Sequence, residues 1–86
     1  MHVSVELTLS PLQSDYEDEI IRFIQALRAS GLTVLENPLS TQVYGPYQQV
    51  MQVLHAEIRN SLERVQQAVF FIKMVKTDRS TYEPHF

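Results

Sequence analysis

At 86 residues the chain makes one domain, residues 1–86, with room for a modest core, and chains this small often bury more surface by assembling. Apolar residues at 44% and charged residues at 20% exclude a disordered chain, and a formal charge of -3 without a basic run leaves nucleic-acid binding no electrostatic basis. The lack of cysteine excludes disulfides and thiol catalysis and makes the cytoplasm the expected location. No membrane partner is expected, because no apolar run nears the ~20 residues of a span and the alternating start lacks the continuous apolar core of a signal peptide.

Residues 2–10 alternate strictly. Val3, Val5, Leu7 and Leu9 point one way and Ser4, Glu6, Thr8 and Ser10 the other, a period that predicts a strand with one face on a core. Pro11 ends it, having no N–H for the ladder. Ser14 and Glu17 have the spacing of a capping box, and a helix over 15–30 follows. Tyr16, Ile20, Phe23, Ile24 and Leu27 form its apolar stripe. The acidic run Asp15, Glu17, Asp18 and Glu19 reads as a solvated helix start, favourable at the positive end of the dipole. Gly31 suits the left-handed residue just past a helix end.

Two short β-like runs come next, Thr33-Val34-Leu35 and Thr41-Gln42-Val43-Tyr44, hinged at Asn37-Pro38. Pro38 drives Asn37 away from helical angles. Leu39, Thr41 and Val43 share one face, and Ser40, Gln42 and Tyr44 the other. Gly45-Pro46 opens a second helix with Pro46 at its first position, and its stripe is Tyr47, Val50, Met51, Leu54, Ile58 and Leu62. Residues 68–76 are a strand, apolar on both faces except at Lys73, and residues 78–86 form an extended or loosely held tail.

The order β-α-β-β-α-β is that of an α+β, ferredoxin-like domain: a four-stranded antiparallel sheet with both helices on one face and the first and third strands in the middle. Parity sends Val3, Val5, Leu7, Leu9, Leu39 and Val43 beneath the helices, with Phe70, Ile72 and Met74 if these take the core. The open face then carries Ser4, Glu6, Thr8, Ser40, Gln42, Tyr44, Val69, Phe71, Lys73 and Val75. Such a face is too apolar to be left in water, and a homo-oligomer, dimer or tetramer, is expected.

Three stretches, VSVELTLSPL, ENPLSTQVYG and FIKMVKTDR, resemble the YkoF-like thiamine-binding protein family, a group of small ferredoxin-like proteins; the resemblance covers nearly the whole chain. It implies binding of thiamine or its hydroxymethylpyrimidine moiety by a dimer or tetramer. It also implies that Asn37, Ser40, Thr41 and the strand after them fall in the pocket region. Many relatives carry an acidic residue just before the glycine that opens the second helix; here that residue is Tyr44.

The residues are compatible with that ligand. Glu6 can accept from an aminopyrimidine and offset a thiazolium charge, Asn37, Ser40, Thr41 and Gln42 can complete hydrogen bonds, and Tyr44 can stack. Each has an ordinary alternative. Glu6 can pair with Lys73 across neighbouring strands, Asn37 can be a turn residue, Ser40 and Thr41 ordinary strand residues, and Tyr44 a core or interface aromatic. By parity Thr41 faces the core, so it would reach a ligand only from the strand end or through its backbone. His2, His55 and His85 share no metal-ligand spacing, so no metal or other cofactor is expected. No nucleophile–base pair or phosphate loop is present, and the expectation is a small-molecule binder and not an enzyme. The alternative is an oligomeric interaction or regulatory module with no thiamine ligand.

Overall fold

The four alternating valines and leucines of the first strand are all buried in one cluster with residues of both helices, which is what gives the sheet one buried and one open face. A computed structural model describes all 86 residues. The elements are β1 (His2–Pro11), α1 (Tyr16–Arg28), β2 (Thr33–Glu36), β3 (Thr41–Pro46), α2 (Tyr47–Arg64) and β4 (Ala68–Lys76). The sheet order is β2-β3-β1-β4 with every neighbour antiparallel, so the first and third strands are central, as in the ferredoxin-like arrangement. Val3, Val5, Leu7, Leu9 and Val43 pack under Phe23 and Leu27 of α1 and Val50 and Leu54 of α2 in one cluster. Each such side chain contributes about 1.5–3 kcal/mol when fully buried. Phe70 joins the edge of this core with its ring 5.4 Å from that of Phe23, edge to face.

Four local expectations need correction. The capping box does not form. Asp15, not Ser14, is the residue before α1; no side chain caps the helix, and the Asp15 carboxylate is engaged by Gln13 Nε2 at 2.8 Å. Pro46 ends β3 opposite His2 and precedes the helix with extended angles (φ -61°, ψ 139°), so α2 begins at Tyr47, whose N–H donates to the Met1 carbonyl. Leu39 lies at the tip of the β2–β3 turn, 84% exposed, because the ladder starts only at Thr41. Ile72 and Met74 are not core. Helix α2 leaves that part of β4 uncovered, and both are about half exposed, as are Met51 and Leu62 from the stripe of α2.

The glycine after α1 follows expectation, and the exit of β4 adds a contact that the sequence did not announce. Gly31 has φ +87° past the end of α1. Beyond β4 the chain hooks back onto β1. Thr77 N–H donates to the His2 carbonyl at 3.0 Å, and Ser4 Oγ donates to the Thr77 carbonyl at 2.8 Å. Ser4 Oγ also accepts from Arg79 N–H at 2.9 Å. These bonds bury Ser4 on the otherwise open face and hold Thr77 at φ 138°, a region that a β-branched residue enters only under constraint.

Candidate functional site

The β2–β3 turn is built by Asn37. Its Oδ1 accepts from the N–H groups of Leu39 (2.8 Å) and Ser40 (3.0 Å), and its own N–H donates to the Ser40 carbonyl at 3.1 Å. An asparagine side chain closing a turn in this way is a local device that Pro38 assists by fixing the backbone. Asn37 is therefore the turn's organising residue, and its Nδ2 remains available at the rim.

Ser40 carries the turn onto the open sheet face. Its Oγ donates to Glu6 Oε2 at 3.0 Å and accepts from Gln42 Nε2 at 2.7 Å. Glu6 sits between Gln42 on β3 and Lys73 on β4, with Lys73 Nζ 3.9 Å from Glu6 Oε1. Glu6 thus contacts both Lys73 and the polar row, but the Lys73 pair is exposed and contributes about 0–1 kcal/mol at most. Around this row the open face carries Leu35, Val69 and Phe71, the last 63% exposed.

The five candidate residues divide among three places. Asn37, Ser40 and Thr41 line a cavity of about 180 Å³ between α1 and the turn, whose apolar walls include Leu7, Leu9, Ile20, Phe23 and Ile24. Thr41 is buried on the helix side, opposite Leu7 and Glu36. Glu6 lies on the opposite face and reaches this group only through Ser40. Tyr44 is one ladder step further along β3, opposite Ser4, and lines a polar cleft of about 200 Å³ with His2, Gln49, Asp78 and Ser80. Hydrogen bonds from the Ser80 hydroxyl and N–H hold the Asp78 carboxyl below its ordinary value. No three His, Asp or Glu side chains converge as a metal set.

A second polar cluster lies away from the hairpin and corrects the reading of the acidic run. Glu19 is 4% exposed and joins α1 to α2. Its Oε2 accepts from Arg22 Nε (2.6 Å) and Ser61 Oγ (2.8 Å), and its Oε1 from Arg64 Nε (2.7 Å). Arg22 also reaches Glu57 at 3.1 Å and Ser61 at 2.9 Å. Burial alone pushes the Glu19 carboxyl up, but the bonds from Arg22, Arg64 and Ser61 together outweigh it and hold the group below its ordinary value. The sequence signal was Glu19 standing one turn before Phe23 on the core stripe, with Arg22 one turn on, but its other partners, Ser61 and Arg64, lie more than 40 positions away.

The sequence profile of the YKOF-related family matches residues 2–77. No curated protein sequence matches the chain significantly. A solved structure from Streptococcus pneumoniae superposes with TM-score 0.85 at 18% identity, covering 94% of this chain and 92% of that one. A Thermotoga maritima protein provisionally assigned to thiamine biosynthesis or salvage gives TM-score 0.81 at 19% identity, covering 90% and 85%. A hypothetical protein of Methanocaldococcus jannascii gives 0.77 at 18%, covering 90% and 81%. Identities this low carry the fold alone. The profile match is of another kind, running from the first residue of β1 through Thr77 and taking in every strand and helix, and on that ground the chain belongs to the YKOF-related family.

Proposed function

We propose that this protein binds thiamine or its hydroxymethylpyrimidine moiety without transforming it, as a homo-oligomer, and that the hairpin cavity takes the pyrimidine. The observation that carries the reading is the cavity between α1 and the turn. Its apolar walls from β1 and α1 suit the faces of a flat ring, and its rim of Asn37, Ser40 and Thr41 suits a ring edge bearing an amine and nitrogen acceptors. Glu36, which lines the same cavity and pairs with Arg28, supplies an acidic group to offset a thiazolium charge. Family membership and the assignment of the Thermotoga protein support the ligand class.

Calorimetric titration of thiamine and of hydroxymethylpyrimidine into the wild type, Thr41→Val and Glu6→Gln tests the reading. Thr41→Val keeps the shape and removes a rim hydroxyl, and it should weaken both ligands about 5- to 10-fold, the equivalent of one ~1 kcal/mol hydrogen bond. Asn37→Ala is a poor probe, since it also removes the turn's internal bonds. If Glu6→Gln weakens the cationic ligand while Thr41→Val changes nothing, the site lies on the open face around Glu6, Ser40 and Gln42. A wild type that binds neither compound returns the chain to an oligomeric interaction or regulatory module. The exposed Phe71, Val69 and Leu35 on the open face favour that second reading.

A further inference from the structure

We infer that the polar cleft beside Tyr44 is a second binding site, and that it takes a small hydroxylated primary amine of the amino-sugar type. The inference does not rest on the ligand proposed above, because the two cavities lie at opposite ends of β3. One row of the sheet supplies part of the cleft. Thr33 on β2, Tyr44 on β3 and Ser4 on β1 stand side by side on the open face. Over Ser4 runs the chain after β4, fixed by the bonds from Thr77 N–H to the His2 carbonyl, from Ser4 Oγ to the Thr77 carbonyl and from Arg79 N–H to Ser4 Oγ. That hook brings Asp78 and Ser80 to the cleft, and the first turn of α2 adds Gln49.

The backbone that presents Asp78 is strained. The bonds on either side of this residue keep Thr77 at φ 138°, a conformation that a β-branched side chain adopts only when its surroundings impose it. Strain of this kind concentrates at sites where a neighbouring group must be held in place. Ser80 donates to the Asp78 carboxylate from its hydroxyl and from its N–H, the latter at 2.9 Å, and so favours the ionised form. No Lys, Arg or His side chain lies within ion-pair distance of Asp78, and no Lys or Arg lines the cleft. The cleft therefore holds one negative charge without a partner.

The polar groups around that charge are unspent. The side chains of His2, Thr33, Tyr44 and Gln49 line the cleft and make no hydrogen bond within the chain. The hydroxyls of Thr33 and Tyr44 and the amide of Gln49 can each donate and accept, as the hydroxyls of a sugar do. Little apolar surface lines the cleft, whereas Leu7, Leu9, Ile20, Phe23 and Ile24 wall the hairpin cavity, so a flat apolar ring gains far less here. The volume of about 200 Å³ is below the ~300–1,000 Å³ of drug-sized pockets and suits one small molecule. An ammonium on Asp78 forms a charge-assisted bond that a neutral polyol cannot form. A bare cation leaves the hydroxyls and the amide unused. A hydroxylated amine answers both parts of the lining.

Amide chemical-shift mapping of the isotope-labelled full chain tests the site with glucosamine, glucose and ammonium chloride, each raised to tens of millimolar at neutral pH and constant ionic strength. Glucosamine should shift the amides of Gly31, Gly45 and Ser80 in a saturable way and leave those of Asn37, Ser40 and Thr41 in place. Glucose lacks the charge and ammonium chloride lacks the hydroxyls, and each should bind about 10-fold more weakly or worse, the scale of one charge-assisted hydrogen bond. Asp78→Asn keeps an acceptor for Ser80 and removes the charge, and it should weaken glucosamine about 10-fold. Tyr44→Phe should weaken it a few-fold, and the unshifted remainder of each variant's spectrum is the folding control. No saturable shift with glucosamine, shifts at the hairpin in place of the cleft, an equal response to glucose or to ammonium chloride, or an unchanged affinity in folded Asp78→Asn overturns the proposal. If Asp78→Asn disturbs the hook, the comparison of the three probes on the wild type decides it.

Discussion

Replacing Glu19 by glutamine keeps the shape of the side chain and removes the charge on which three donors converge. In the wild type, Arg22, Ser61 and Arg64 all bond this buried carboxylate. A hydrogen bond to a charged group contributes about 1.5–3 kcal/mol, and breaking a fully buried pair costs about 3–5 kcal/mol. Two features reduce the figure here. Arg64 is 60% exposed and can turn to water, and Arg22 keeps Glu57 as a partner. The expected loss is therefore about 2–3 kcal/mol, which in a domain of this size lowers the melting temperature by roughly 10–20 °C. The pH dependence separates this cause from a packing defect. The folded-state pKa of Glu19 is depressed, so its stabilisation is complete above the ordinary glutamate value of about 4.3 and is lost as pH falls through the folded value. Thermal unfolding at pH 7 and at successively lower pH should show the gap between wild type and Glu19→Gln narrowing below about pH 4.3. A gap of the same size at pH 7 and pH 3, or no gap at pH 7, would refute the electrostatic account of this cluster.

Three further expectations concern the backbone. Ser4→Ala removes both bonds that Ser4 Oγ makes to the residues after β4, costing about 1–3 kcal/mol, and amide exchange at Arg79 should accelerate; unchanged protection there would show that the hook holds without it. Thr77→Gly relieves a β-branched residue at φ 138° and should be neutral or stabilising by about 1 kcal/mol in chemical denaturation, despite the greater freedom of glycine in the unfolded chain. Gly31→Ala has the opposite sign. A methyl group there meets nothing within 4 Å, so the loss of about 1–2 kcal/mol expected in the same assay comes from the left-handed backbone alone.

Local periodicity carried most of the architecture. The alternation of β1 is a backbone property of period two, and its four apolar residues all lie in the core; Gly31 and the faces of Thr41 and Val43 follow from equally local rules. What escaped depends on groups distant in the chain. Leu39 had the parity of a core residue, but Asn37 spends its side chain on the turn and starts the ladder two positions later. Ile72 and Met74 had core parity as well; whether a helix covers a strand's face depends on where α2 lies across the sheet, which no single segment encodes. At the hairpin, proximity in sequence made Asn37, Ser40 and Thr41 legible as neighbours. The separation of Glu6 onto the other face and of Tyr44 into another cleft emerged only with the strand register.

The central position of β1 has a consequence for how the chain is made. Its second partner, β4, is the last of the four strands of this sheet to be synthesised, and the hook at Ser4 ties residues 73 positions apart. Until residues 68–77 have left the ribosome, β1 can pair only with β3, and the side that later meets β4 stands bare. The unfinished sheet therefore presents as a sticky edge the strand that ends up at its centre. Translational pausing within α2 should prolong that state and favour aggregation of nascent chains, whereas a pause after Thr77 should have little effect. Ribosome-bound chains stalled at these two points, compared for chaperone capture, would reveal the difference.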